Sequence, residues 1–310
     1  MKYVLFLCHR LGFEALQILM NKVEISLVVI EKEHDHEIEQ YWEKISSHIM
    51  DCDLPVLVNP KASEIEKYCM RISFDYLISF GYRKMIPEAI RKLAKSDCIG
   101  THFAPLPQYR GFSPLNWVLI NGESKTAINF FILEDDVDAG DIIFHEDIFI
   151  SDSDTIITLY EKCINSFKKS LLKVVEQLEH GTHSRTMQDS SLATYCCARN
   201  PEDGLIDWSQ KTRIIQNLIR ATTLPFPCAY TFYGQEKVLI VSSEIQPNRP
   251  YVGRIFGKVV KIIKNHGVEV LTGDGILLIK ECTLEGMESR VTTADKVIQS
   301  VRATLRAYPN

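Results

Sequence analysis

The chain has 310 residues, 45% hydrophobic and 24% charged, which fits an ordinary globular protein of roughly two domains. Its net charge of −5 argues against a nucleic-acid partner, which favours a basic face. No apolar run reaches the ~18 residues that span a bilayer, and the apolar part of MKYVLFLCHRLG is too short for a secretory signal and lacks a small-residue cleavage site.

Tyr3–Cys8 and Val23–Ile30 read as buried strands, and His34 to Met50 as a polar helix. Ser63 and Glu66 have capping-box spacing at the start of a helix that runs through Met70. Tyr76–Phe80, Cys98–Phe103, Ala127–Leu133 and Ile142–Ile150 are further strands. Asp154 to His180 reads as a long helix, with Ile156, Leu159, Cys163, Phe167, Leu171 and Leu178 on one stripe and Gly181 beyond its end. Strands alternating with helices imply a Rossmann-like, mostly parallel α/β sheet covered on both faces. There is no GxGxxG, so the dinucleotide fingerprint is absent.

The pattern changes after about residue 190. Leu205–Trp208 reads as a short strand and Thr212–Ala221 as a helix. Ala229–Phe232, Lys237–Val241, Gly253–Ile263, Gly267–Leu271 and Ile276–Glu281 follow as short strands between turns, as in a small β-barrel. The expected division is a catalytic domain at 1–190, a linker at 191–204 and a barrel domain at 205–310. Nine cysteines are scattered without a CxxC, which fits reduced thiols in a cytoplasmic protein and offers no metal constellation.

The chemistry concentrates in residues 101–141. His102 ends one apolar run and Asp138 follows the next, at the rim where α/β sheets bind ligands and where proton transfer is well served. Between them lies a Pro-rich loop with Tyr109, Arg110 and Gly111. A second loop, Ser79 to Ile86, follows another strand. His9 and Arg10 follow the first one.

These segments resemble the formyltransferases that use 10-formyltetrahydrofolate, in which a histidine is followed by a Pro-containing loop, YRG and a D-x-G turn. RNPEDGLIDWSQ, NLIRATTLPFPCAY and TGDGILLIKE are similar to the family's C-terminal domain, which makes the expected barrel OB-like. The resemblance implies a proton-shuttling role for His102 and an orienting role for Asp138. It makes Tyr82, Arg83, Met85 and Ile86 the folate-pocket residues. His9, Arg10, Tyr109, Arg110, Gly111 and Arg199 are then the candidates for the acceptor side, each equally readable as a structural residue.

One position departs from the family. The asparagine two residues before the histidine is Gly100 here, which has no side-chain donor. Asn129, on the next strand, is a candidate replacement for that amide; the alternative is an ordinary sheet residue. CHRLGFEAL, LNWVLINGE and SFGYR are similar to the sugar-nucleotide branch of the family. The expected reaction is therefore formylation of the primary amine of a nucleotide-linked amino-deoxy sugar for a cell-surface glycan. The cosubstrate is 10-formyltetrahydrofolate, no metal or membrane is involved, and a homodimer is expected by resemblance. Methionyl-tRNA formylation and a non-catalytic binding protein are the alternatives.

Overall fold

In the computed structural model, which describes residues 1–33 and 39–309, the apolar runs of the first half assemble into a seven-stranded sheet. Its strands are β1 (Lys2–Leu7), β2 (Glu24–Ile30), β3 (Val56–Val58), β4 (Tyr76–Phe80), β5 (Cys98–His102), β6 (Lys125–Ile132) and β7 (Ile142–Phe149). The spatial order is β3-β2-β1-β4-β5-β6-β7. The pairs among β1 to β5 are parallel, and β6 runs antiparallel to β5. Every residue of β4 and all but the first of β1 are buried, as continuous apolar strands are when helices cover both faces of a sheet.

Helix α1 (His9–Leu19) directly follows β1. The sequence reading placed no helix there. Leu11, Ala15, Leu16 and Leu19 are its buried stripe, at helical spacing. The polar helix expected from His34 is α2 (Tyr41–Ile49); residues 34–38 lie outside the described part. Helix α3 (Ala62–Cys69) starts earlier than Ser63 suggested. The Lys61 N–H donates to the Glu64 carboxylate at 2.7 Å, so Glu64 and not Glu66 serves the first turn. Two shorter helices, α4 (Glu88–Arg91) and α5 (Pro114–Ile120), follow, with Pro87 capping α4.

The long helix α6 (Ile156–His180) forms as read. Its Phe167 is fully buried, stacks on Phe130 at 5.9 Å between centroids, and meets Phe80 and Phe103 edge-on. Such pairs add roughly 0.5–1.5 kcal/mol each beyond burial, which fixes β4, β5 and β6 against one helix.

Contacts divide the chain into two units. The first holds Met1–Gly111, Thr126–Ile148 and Glu161–Tyr195; the second holds Phe112–Lys125, Phe149–Tyr160 and the chain from Cys196 onward. In the second, helix α7 (Thr212–Thr222) packs with an antiparallel sheet of β8 (Ala229–Tyr233), β9 (Glu236–Gln246), β10 (Val259–Ile263), β11 (Gly267–Leu271), β12 (Ile276–Leu284) and β13 (Thr292–Thr293). The order is β8-β9-β12-β11-β10, with β13 on β12. Bridges from Arg306 to Phe232 and from Thr304 to Lys258 bring residues 304–306 to both ends of that order, closing the sheet into a small barrel. Two expectations change. Leu205–Trp208 makes a single bridge to Tyr230 and no strand, and residues 253–258 precede β10 without joining it.

Among the described residues no helix is long and apolar enough to cross a membrane. Burial pushes the thiols of Cys8, Cys98 and Cys282 up to about 12, and those of Cys69 and Cys228 up to about 11. Cys52 and Cys197 are exposed. Thiolates are the reactive form, so native alkylation at mildly alkaline pH is expected to modify Cys52 and Cys197 first, as peptide mass mapping checks. Early modification of Cys8 or Cys98 contradicts this packing.

Candidate active site

His102 closes β5, at the carboxyl end of a central strand, and is 7% exposed. Its Nδ1 lies 3.3 Å from Asp138 Oδ2, and its Nε2 lies 2.7 Å from the Tyr109 carbonyl. Both ring nitrogens therefore face oxygen acceptors. A carbonyl only accepts, so the ring satisfies both partners when each nitrogen carries a proton.

Asp138 sits in the loop between β6 and β7 with φ +52°, a left-handed conformation that Asp tolerates better than most residues. Its Oδ2 also accepts from the Gly111 N–H at 2.8 Å. Gly111 itself has φ +100°, a value that excludes most side chains. The YRG segment and the D-x-G turn are thus joined through one carboxylate oxygen.

Arg110 is 2% exposed. Its Nε and Nη2 donate to Gln188 Oε1 at 3.2 and 2.7 Å, and Nη1 reaches the Tyr195 hydroxyl at 3.4 Å. Gln188 Nε2 donates in turn to the carbonyls of Asp138 and Gly140 at 2.8 and 2.7 Å. Arg110 is therefore a buried brace for the Asp138 turn rather than an open anion clamp. Gln188 was not singled out in the sequence; a lone glutamine between loops carries no motif. Tyr109, at φ +59°, is anchored by its N–H to Thr194 Oγ1 at 2.9 Å.

Gly100 pairs with Phe131 and His102 with Asn129. A Cβ on Gly100 would fall 2.7 Å from Leu133 Cδ2 and 2.8 Å from Phe131 Cζ. Apolar side chains fill the space that a side chain at position 100 would enter. The Asn129 side chain is fully buried, with Nδ2 bonded to the Ala104 carbonyl and Oδ1 accepting from His145 Nδ1 at 2.8 Å. Both ends of that amide are engaged within the protein in this arrangement.

The loop after β4 begins with Gly81 at φ +72°, where a Cβ would lie 2.6 Å from the Cys8 carbonyl. The Arg83 N–H donates to the buried Glu31 carboxylate at 2.9 Å, and its Nη2 to the Lys32 carbonyl at 2.7 Å. Tyr82 packs edge-on to Phe6, and burial, then Glu31, push its phenol up to about 12. Ile86 is buried, its carbonyl accepting from Arg91 Nε at 3.0 Å, while Met85 is exposed. The loop is fixed from beneath, with Met85 on its open side.

The His9 N–H donates to the buried Glu33 carboxylate at 3.1 Å. Cys8, His9 and Glu33 lie close enough to suggest a metal. However, Glu33 also accepts the N–H groups of Tyr41 and Trp42 at 3.1 Å, so its oxygens are spent on capping. Arg10 forms a two-point pair with Glu161, which raises its pKa. Arg199 belongs to the second unit, where it lies over the Trp117 ring at 5.2 Å and donates to the Asp203 carbonyl at 3.1 Å. Burial lowers its pKa.

A family model described as formyl transferase matches residues 14–175, and one described as formyl transferase, C-terminal domain matches residues 199–302. Among solved structures, the fold is similar to that of WlaRD, a sugar 3N-formyl transferase crystallised with dTDP and 5-N-formyl-THF. The TM-score is 0.65 at 18% identity, over 90% of this chain and 97% of that one. It is also similar to the Helicobacter canadensis N-formyltransferase in complex with folinic acid and dTDP-3-aminofucose, with TM-score 0.67 at 15% identity over 90% and 98%. Methionyl-tRNA formyltransferase from Clostridium thermocellum aligns with TM-score 0.56 at 18% identity over 88% and 100%.

Proposed function

Since this chain belongs to the formyl transferase family, we propose that it moves the formyl group of 10-formyltetrahydrofolate to the primary amine of a nucleotide-linked amino-deoxy sugar. The observation that carries this reading is the convergence of His102, Asp138, Tyr109 and Gly111 at one strand end. The sugar-nucleotide acceptor is supported by CHRLGFEAL after β1, by the acidic net charge and by the two sugar N-formyltransferases among the similar folds. A cytoplasmic dimer acting in surface-glycan synthesis is the setting we propose for it.

In the reaction the amine lone pair attacks the formyl carbon, and the carbonyl oxygen takes up negative charge. The bond from that carbon to the folate nitrogen then breaks. The amine loses a proton and the folate nitrogen gains one. On this reading His102 serves the oxyanion: its Nε2–H, now given to the Tyr109 carbonyl, turns to the substrate oxygen, and Asp138 keeps the imidazolium paired. The Asp138 carboxylate takes the amine proton and His102 gives its Nε2 proton to the leaving nitrogen, and exchange with solvent restores the pair. On this reading Tyr82, Arg83, Met85 and Ile86 form the folate loop, with Met85 contacting the ligand. His9, Tyr109 and Gly111 serve the acceptor, Arg10 acting through its pair with Glu161 and Arg110 through Gln188.

The test is release of tetrahydrofolate in the presence of 10-formyltetrahydrofolate and a panel of amino-sugar nucleotides, with methionyl-tRNA as a parallel acceptor. Turnover with one amino sugar is expected. Methionyl-tRNA as the sole acceptor overturns the sugar assignment. Folate binding without turnover on any acceptor favours a non-catalytic protein, the reading that Gly100 supports.

A further inference from the structure

We propose that Asn129, His145 and Asp147 form a positioning chain that fixes the loop after His102 and so sets the direction of the His102 ring. The proposal rests on the formyl-transfer reading for its kinetic consequence and on geometry alone for its structural one.

Asn129 lies directly across from His102 on the neighbouring strand. Its amide orientation is determined by its partners. The Ala104 carbonyl can only accept, so Nδ2 must face it. Oδ1 then faces His145, whose Nδ1 must carry the proton it shares at 2.8 Å. On the other side of the ring, His145 Nε2 lies 3.0 Å from Asp147 Oδ1. His145 and Asp147 are two residues apart on β7, hence on one face, and both reach solvent. A surface His–Asp contact is thereby connected through one buried amide to the backbone beside the site.

That backbone carries the consequence. The Ala104 carbonyl also accepts from the Leu106 N–H at 2.9 Å, and the Gln108 N–H donates to the Pro105 carbonyl at 3.0 Å. The segment is thus folded on itself from Ala104 to Tyr109, and the Tyr109 carbonyl is the oxygen that meets His102 Nε2. Releasing the Ala104 carbonyl loosens this segment at its root, and the Tyr109 oxygen moves with it. Both ends of the Asn129 amide are engaged within the protein. Its influence on the reaction passes through the loop.

Substituting Asn129 itself opens a cavity at a fully buried position and takes one of its two donors from the Ala104 carbonyl, so the test acts at the exposed end. His145→Ala removes the donor to Asn129 Oδ1. His145→Asn restores it, because an asparagine amide nitrogen stands where Nδ1 did. His145→Ala is expected to lower kcat by roughly tenfold to a hundredfold, with KM for both substrates unchanged and most of kcat recovered in His145→Asn. In the free protein, the nitrogen NMR shifts of the His102 ring are expected to change in His145→Ala and return in His145→Asn. Unchanged His102 shifts in the folded alanine variant overturn the proposal, whatever the reaction proves to be. Absence of formyl transfer in the parent protein overturns the functional reading and leaves the ring shifts to decide this one.

Discussion

Replacing His102 with Asn is expected to lower kcat by about 10²- to 10⁴-fold while the protein stays folded. The ring bridges two loops, touching the Asp138 carboxylate on one side and the Tyr109 carbonyl on the other. An asparagine amide placed at Nδ1 still donates to Asp138, which also keeps its bond from the Gly111 N–H. The Nε2 donor is lost, and with it the group that the proposed reaction turns toward the oxyanion. The loss should therefore fall on kcat, with KM for both substrates little changed. A truncation to Ala adds a cavity under the Tyr109 loop, so Asn is the cleaner probe. Thermal melting and steady-state kinetics on the two proteins suffice. An unchanged kcat in a folded His102→Asn variant places the chemistry elsewhere.

Restoring the family asparagine at Gly100 is expected to fail on its own. The new Cβ would press on Phe131 Cζ and Leu133 Cδ2, both within 2.8 Å. Overpacking of this kind typically costs about 1–3 kcal/mol, and Phe131 is buried. Gly100→Asn alone should lower the melting temperature without a gain in kcat. Combining it with Phe131→Leu and Leu133→Val removes the ring tip and the δ-methyl groups in the way. The triple variant should then gain an oxyanion donor, an interaction worth on the order of 10²- to 10³-fold in related settings. Part of that gain is expected in kcat, measured against the Phe131→Leu, Leu133→Val double variant. A rise in kcat for Gly100→Asn alone contradicts the account of a filled pocket.

Much of the fold was readable because its strands are apolar runs of the right length and its longest helix carries an unbroken stripe. CHRLGFEAL carries the resemblance to the sugar-nucleotide branch, yet its Leu11 and Ala15, with Leu16 and Leu19 beyond, have the helical period of α1. The start of α3 was misplaced because Ser63–Glu66 and Lys61–Glu64 have the same spacing, and only the backbone chooses between them. Leu205–Trp208 looks like a strand, yet Trp208 and Ile206 are buried as core plugs of the barrel.

The segment between His102 and Asp138 keeps a recognisable pattern, and the two side chains meet at 3.3 Å. The surroundings were less legible. Arg110 is indistinguishable in sequence from a phosphate-binding arginine, and its partner Gln188 lies far along the chain. The fate of Asn129 depended on His145, a residue on a different strand with no motif of its own. Nothing local reveals that Phe131 fills the space above Gly100; strand register alone brings them together.

The most direct test is to incubate the purified protein with 10-formyltetrahydrofolate and each amino-sugar nucleotide, then weigh the acceptor by mass spectrometry. A gain of one formyl group on a single sugar amine, abolished in His102→Asn, is the expected result. Formyl transfer that persists undiminished in His102→Asn, or an acceptor set confined to methionyl-tRNA, contradicts it.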